Sequence, residues 1–417
     1  MPTALFIHNG NPGRFAFIGR ALLERGWRCR LINGPGGRDI PGMETLRWRS
    51  PAGDTPEGRG PKARMARDLA WGGAAAHAAR MLRETGFSPD VIIGHPGWGE
   101  MLFLHHIFPK ARQIQIAEFF YHAENADVGF DPEFSPPPTT LENALSTEAK
   151  NLGLAASYVH ADWLVAPTAY QASLLPAGLQ TQVRIIHEGV DTSIARRRPA
   201  RLGLANGLVL TGQQPVITFI NRNFEPLRGV HIFMRALPTV MKTIPDAQVL
   251  MIGADSRDCY GPVAPSGTTW LQHIRAELGG QLDYSRIHFP GQVGYQQLLD
   301  VLSLSTAHVY LTYPFVLSWS LLDAMACEAL IIGSDTAPVR DLIRNRENGL
   351  LVDFFDTKGL SQTLTEVCRQ PEAYSYLRDA ARDTVVRGYD RNKVCLPNWL
   401  ALIDAAVAKD SPKGAAP

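Results

Sequence analysis

A chain of 417 residues, 45% hydrophobic and 19% charged, is too long for one ordinary domain and suits two α/β domains. Its formal net charge of +1 sets up no global field that would draw nucleic acid, so no nucleic-acid partner is expected. Five scattered cysteines (Cys29, Cys259, Cys327, Cys368 and Cys395) form no C-x-x-C pair, and no apolar run approaches the length of a membrane span. These features predict reduced thiols and a cytoplasmic protein, with peripheral contact at the inner face of the cytoplasmic membrane left open.

Short apolar runs alternate with longer helical patterns, the mark of a parallel, doubly wound sheet. In the first half the predicted strands are "ALFIHN", "RCRLIN", "DVIIGH", "QIQIAEFF", "WLVAPT" and "VRIIHEG". Helices are predicted over 15–26 and 62–85, and a Pro-rich break, Pro136 to Pro138, precedes another over 141–157. Between the first strand and helix, Gly10 and Gly13 allow a sharp turn, and the amides of the helix start can face an anion. The loop is not a G-x-G-x-x-G fingerprint, and the second strand ends in Asn33 where a dinucleotide enzyme would carry an acid, so a dehydrogenase is disfavoured. A basic, Gly/Pro-punctuated stretch near 192–207 reads as a linker. The second half repeats the pattern with "PVITFIN", "AQVLMIGAD", "RIHFPGQV", "AHVYLTY", "ALIIGSD" and "GLLVDF". After 370 the chain reads as helix, and the tail "SPKGAAP" as disordered.

The stretch "YLTYPFVLSWSLLDAMACEALIIGSD" resembles the signature region of retaining GT-B glycosyltransferases, family 4 in particular, where a helix opens near "LLEAMACG". Asp323 stands where that family has the second Glu of its E-x(7)-E motif. A carboxylate there can accept hydrogen bonds from a ribose diol, while the free amides of the helix start face a diphosphate. Ser318 or Ser320 supplies the N-cap, and Trp319 lies between them. Counting back eight residues reaches Phe315, where the family's first, sugar-facing Glu is expected. Upstream, "INRNFEPLRG" resembles the family's "G-R-x-x-x-x-K-G", with Arg222 and Arg228 as matching bases. Two converging bases neutralise charge on a departing diphosphate without a metal. "HFPGQVGYQQLL" resembles the base-pairing segment and assigns Gln292 and Val293 to the nucleotide base. "NGLLV" matches a further family strand.

The resemblance implies a GT-B fold, two Rossmann-like doubly wound domains facing a central cleft. Residues 1–195 would bind acceptor, residues 205–385 the nucleotide-sugar donor, and a helix over 386–410 would cross back towards the first domain. The first half resembles the family more thinly. His95, Trp98, Glu100, Glu118, His122 and Asp127 follow strands and are candidates to line the cleft; His95 and Glu118 are the catalytic candidates there. "IIHEGVD" resembles the segment closing the first domain, with Glu188 and Asp191 fixing the turn. Together these imply sugar transfer from a nucleotide-sugar to a glycan, lipid-linked or small-molecule acceptor, with retained anomeric configuration and neither metal nor cofactor. A nucleotide-sugar-binding pseudo-enzyme and a sugar-nucleotide epimerase are the alternatives.

Overall fold

The computed structural model describes residues 1–51, 58, 60–124, 126–134, 141–204 and 207–408. Pro136 to Pro138 and the tail "SPKGAAP" lie outside these. The described residues group into two compact units, unit 1 within Met1–Glu124, Pro138–Glu188 and Cys395–Pro417, and unit 2 within Asn125–Pro137 and Gly189–Val394.

Unit 1 carries a sheet of β1 (Thr3–His8), β2 (Arg28–Asn33), β3 (Glu44–Arg47), β4 (Val91–Gly94), β5 (Arg112–Ile116), β6 (Trp163–Ala166) and β7 (Val183–Ile185). Their order is β3-β2-β1-β4-β5-β6-β7, every neighbouring pair parallel. The side-chain period of two splits β1 between two cores. Ala4 and Phe6 join Phe15, Ile18 and Leu22 of the helix Gly13–Glu24 on one face. Leu5 and Ile7 join Ala75 and Ala79 of the helix Pro61–Glu84 on the other. The edge strand β3 was not expected: only half-buried, "ETLR" lacks the apolar run that marks a central strand. The helix expected over 141–157 is two, Leu141–Ala149 and Leu152–Tyr158. Buried Asn151 sits at the break, its carboxamide donating to the Tyr121 carbonyl and accepting from the Tyr121 amide, both at 2.8 Å.

In unit 2, β8 (Leu202–Gly203), inside the stretch read as linker, forms a small antiparallel pair with β9 (Val209–Leu210), just beyond it. The main sheet holds β10 (Val216–Asn223), β11 (Gln248–Ala254), β12 (Ile287–Gly291), β13 (Ala307–Tyr310), β14 (Ile331–Ser334) and β15 (Leu350–Val352). Its order, β12-β11-β10-β13-β14-β15, is all parallel. It is the 3-2-1-4-5-6 arrangement of a doubly wound domain, and the order reverses between β10 and β13. In unit 1 the reversal lies between β1 and β4.

The compact units do not follow the domain limits of 195 and 385. The chain passes from unit 1 to unit 2 after Glu188, and unit 2 runs to Val394. Residues 126–134 also belong to unit 2. Phe130 packs on Tyr313 and Phe354, with ring centroids 5.0 and 5.3 Å apart, and Phe134 on Trp270 at 4.7 Å. Asp127 therefore sits in unit 2, a correction to its placement in the acceptor half; aromatic packing claims the segment, and local sequence carries no sign of it. The last helix, Leu396–Val407, buries Trp399, Leu402, Ile403 and Ala406 in the core of unit 1 beside Phe15 and Leu22.

Trp399 is among the largest fully buried side chains. Trp399→Ala is expected to destabilise unit 1 by about 3–5 kcal/mol through lost transfer energy and the cavity left behind. Denaturant unfolding followed by tryptophan-independent circular dichroism measures this, and a loss below about 1 kcal/mol would show that the site collapses around the smaller side chain.

Candidate functional site

In unit 2 the polar residues singled out from sequence gather where strands end. The strand β10 delivers Arg222 at its end, and the short turn Pro226–Arg228 delivers Arg228 before Gly229. Gly229 takes φ 70°, a left-handed conformation, and a Cβ there would lie 2.5 Å from the Leu311 side chain. Arg228 is buried, and its Nη1 donates to Thr312 Oγ1 and to the Val316 carbonyl, both at 2.9 Å. Arg222 is held differently. It is half exposed, pairs with Asp258 at 3.0 Å, and lies 4.3 Å from the centre of the Tyr260 ring.

Phe315 stands between the two bases. Its ring lies 5.8 Å from the Arg228 guanidinium and, centroid to centroid, 5.8 Å from Tyr260. Glu225, missed in the sequence, is buried, with an oxygen 2.7 Å from the Tyr260 amide that donates to it. Burial raises its carboxyl pKa against the opposing pull of that amide and of Arg228 and Arg222. Its signal was a lone acid between the two arginines in "RNFEPLR".

The helix Trp319–Ala326 opens on Ser318, whose Oγ accepts from the Ser320 amide at 3.3 Å. Of the two hydroxyls proposed as N-cap, Ser318 takes the position, and the Ser320 hydroxyl bonds to it at 2.7 Å. The Ser318 amide donates to the Tyr310 hydroxyl at 2.6 Å. Trp319 is exposed, as is Gln292, whereas Val293 packs on the core of unit 2. Asp323 is buried one turn into the helix, and its Oδ1 accepts from the Tyr295 hydroxyl at 2.8 Å. Burial pushes its carboxyl up to about 6, against the Tyr295 hydrogen bond and the charge of Arg391.

A second polar cluster belongs to unit 1. Gly10, at φ 122°, donates its amide to Asn33 Oδ1, and Asn33 Nδ2 returns a bond to the Gly10 carbonyl, both at 3.0 Å. The residue whose identity disfavoured a dinucleotide thus holds the glycine loop. Gly10 and Gly13, grouped with the donor residues from sequence, lie in unit 1, while Gln292, Val293, Ser318, Trp319, Ser320 and Asp323 lie in unit 2. Arg14, one residue past the loop, binds Glu118, and approaches Glu188 at 3.4 Å. The other oxygen of Glu118 meets His95 Nε2 at 2.9 Å. Burial alone would push the Glu118 carboxyl up, but Arg14 and then His95 outweigh it and hold it below the usual range. His8, at the end of β1, is pushed down to about 3 by burial, then by His95 and Arg14. The Trp98 ring lies 5.2 Å from His95.

The other first-half candidates separate from this cluster. His122 Nε2 meets the Leu174 carbonyl at 2.7 Å, and Asp191 accepts from Ser193 and Asn392 in unit 2. Among the described residues, Asp131, Glu133 and His231 bring three ligand-type atoms within 4.8 Å. Asp131 accepts from the Tyr313 hydroxyl at 2.7 Å and faces His231 at 3.0 Å, and Glu133 is forked onto Arg235. Those contacts tie residues 126–134 to unit 2.

Glu100 is buried, accepts from the Trp98 amide at 2.8 Å, and is pushed up to about 8 by burial. Its carboxyl is therefore protonated in the folded chain over a range in which the unfolded chain has lost the proton. A raised acid contributes stability that is complete below its unfolded pKa and is lost as pH rises through about 8. Glu100→Gln should flatten the decline of unfolding free energy between pH 5 and 8.5, as read by denaturant titration at successive pH values. An unchanged slope would place the titration elsewhere.

Comparison with known proteins bears on both units. Residues 25–195 match the model described as glycosyl transferase family 4 group, and residues 214–370 that of glycosyl transferases group 1. A phosphatidyl-myo-inositol mannosyltransferase of Mycobacterium leprae is 28% identical over 181 residues, 42% of each chain. A D-inositol 3-phosphate glycosyltransferase of Rhodococcus jostii is 24% identical over 54% of this chain and 48% of its own. The chain thus spans about half the length of these curated relatives. Sucrose-phosphate synthase of Thermosynechococcus elongatus superposes with a TM-score of 0.68 at 17% identity, covering 97% of this chain and 99% of its own. The Anabaena protein HepE, solved in complex with UDP and glucose, does so at 0.64 and 14%, covering 97% and 100%. One half of the chain thus matches a glycosyltransferase family 4 domain and the other a glycosyltransferase group 1 domain, on two parallel-sheet units that match GT-B structures.

Proposed function

We propose that the chain transfers a sugar from a nucleotide-sugar donor with retention of configuration and without a metal ion. The observation that carries this is the buried Arg228, fixed by Thr312 and Val316 at the point where the sheet order of unit 2 reverses. A guanidinium already desolvated and aimed needs little reorganisation when negative charge builds on a leaving diphosphate. Arg222, more exposed and held on Asp258 and Tyr260, supplies the second positive charge. The amides of the helix opening at Trp319 face the same anion, Asp323 takes the ribose diol, and the backbone at Gln292 and Val293 meets the base. Solved relatives bound to UDP, UDP-glucose and ADP support a nucleotide-sugar donor.

In unit 1 the Arg14–Glu118–His95 cluster offers an ionised carboxylate and an imidazole for an acceptor hydroxyl. The inositol-modifying relatives support a polyol or lipid-linked polyol as acceptor. Among the described residues no helix is long and apolar enough to cross a membrane. A lipid-linked acceptor would therefore be met from the membrane surface. We place the enzyme in the cytoplasm, with peripheral contact at the inner face of the membrane.

Arg228→Ala should lower turnover by about 10²–10³-fold, as expected for one preorganised contact to developing charge, with Arg222→Ala at least about 10²-fold lower. The assay follows nucleotide release from UDP-, GDP- and ADP-sugars with myo-inositol or inositol phosphate present, and NMR of the product reads the anomer. Activity lost to EDTA and restored by manganese would overturn the metal-free mechanism. Donor binding without turnover for any acceptor would favour the pseudo-enzyme reading that Phe315 raises.

A further inference from the structure

Tyr295 opens the helix Tyr295–Leu304 directly after Gln292, Val293 and Gly294. Its ring is exposed, yet its hydroxyl is spent inward on buried Asp323, at 2.8 Å from Oδ1. Neither helical periodicity nor the family resemblance gives this position a role. The end of an aspartate side chain rotates over a broad, roughly two-fold torsion, so one carboxylate oxygen must be pinned before the other has a definite direction. Asp323 is also one methylene shorter than the Glu of related chains, which leaves it less reach and makes its orientation matter more.

We propose that Tyr295 is a positioning residue for the nucleotide donor: by holding Oδ1 of Asp323 it turns Oδ2 towards the ribose diol. The proposal rests on Asp323 as the ribose ligand. A donated hydrogen bond also favours the ionised form of the carboxylate, the form that accepts from both ribose hydroxyls. The groups that face Asp323 are Tyr295 on the neighbouring helix, Arg391 near the end of unit 2, and Cys327, which caps the end of its own helix. Burial pushes the Cys327 thiol up to about 12, and burial and then Asp323 raise the Tyr295 phenol, so both stay neutral while Asp323 titrates. Burial opposes ionisation of Asp323, and Tyr295 and Arg391 favour it. Diphosphate binding should accordingly weaken as pH falls through about 6, and loss of the phenol should start that decline at higher pH.

The test titrates UDP, GDP and ADP into the full chain by calorimetry between pH 5 and 8.5, for the wild type, Tyr295→Phe, Asp323→Asn and the double variant. In Tyr295→Phe the bound diphosphate should be held about 10-fold more weakly at pH 7, the scale of one hydrogen bond to a charged group. The midpoint of its pH profile should lie higher than in the wild type. In the Asp323→Asn background, Tyr295→Phe should change neither. An unchanged affinity and midpoint in Tyr295→Phe, or a loss equal at every pH and equal in the Asp323→Asn background, would overturn the role of Tyr295. A folded wild type that binds none of the three diphosphates would overturn the donor site itself. A wild type that binds while Asp323→Asn binds equally well removes Asp323 from the ribose and the proposal with it.

Discussion

Parallel pairing of every strand in both main sheets is the constraint from which the rest of the molecule follows. Parallel strands cannot be joined by hairpins, so the chain must return along helices that cover both faces of each sheet. The strands are then buried on both sides and read as apolar runs, with little room for a polar group along their length. Many charged and polar side chains stand where strands end, while Gln113 with Gln115 and Thr218 with His308, buried within strands, hydrogen-bond in pairs. Asn33, Glu118, Arg222 and Ser334 stand at or just past strand ends, and Arg228 and Asp323 follow in the turn or helix that comes next. The strand order reverses between β1 and β4 and between β10 and β13, and in doubly wound sheets such reversals separate neighbouring return helices and are where ligands bind.

The charges gathered at these ends are costly to bury, and each is met by a specific partner. Arg228 gives hydrogens to Thr312 and Val316, and Glu118 is satisfied from two sides by Arg14 and His95. Where a partner cannot compensate, the group loses its charge instead: Glu100 is pushed up to about 8 and His8 down to about 3. The two units use these devices differently. Unit 1 pairs an anion with a cation and an imidazole, a set suited to handling a hydroxyl proton. Unit 2 lines up cations and helix amides, a set suited to an anionic diphosphate.

Phe315 is the clearest departure from the family pattern, and its surroundings give it a physical role. Its ring covers the buried Arg228 and reaches Tyr260, which in turn carries Arg222. An aromatic face near a guanidinium is attractive without competing for its hydrogen bonds. The two bases are thereby linked through a pair of rings, where a carboxylate in the Phe315 position would have pulled on Arg228 directly.

Sequence alone determined the class of the fold, because apolar runs of strand length alternating with helical patterns admit few arrangements other than doubly wound sheets. The resemblance to family segments singled out Arg222, Arg228 and Asp323, and a strand–glycine–helix pattern the Gly10 loop; Arg222 and Gly10 lie at or just past strand ends, Arg228 and Asp323 in the turn and the helix that follow. The tertiary structure decided what depends on contacts between residues distant in the chain. "ETLR" becomes a strand only because β2 pairs with it, and residues 126–134 join unit 2 only because Phe130, Asp131 and Phe134 find Tyr313, His231 and Trp270 there. Arg14 and Tyr295 were unremarked for the same reason. Their partners, Glu118 and Asp323, stand 104 and 28 residues away, and no local pattern records a hydrogen bond across that distance.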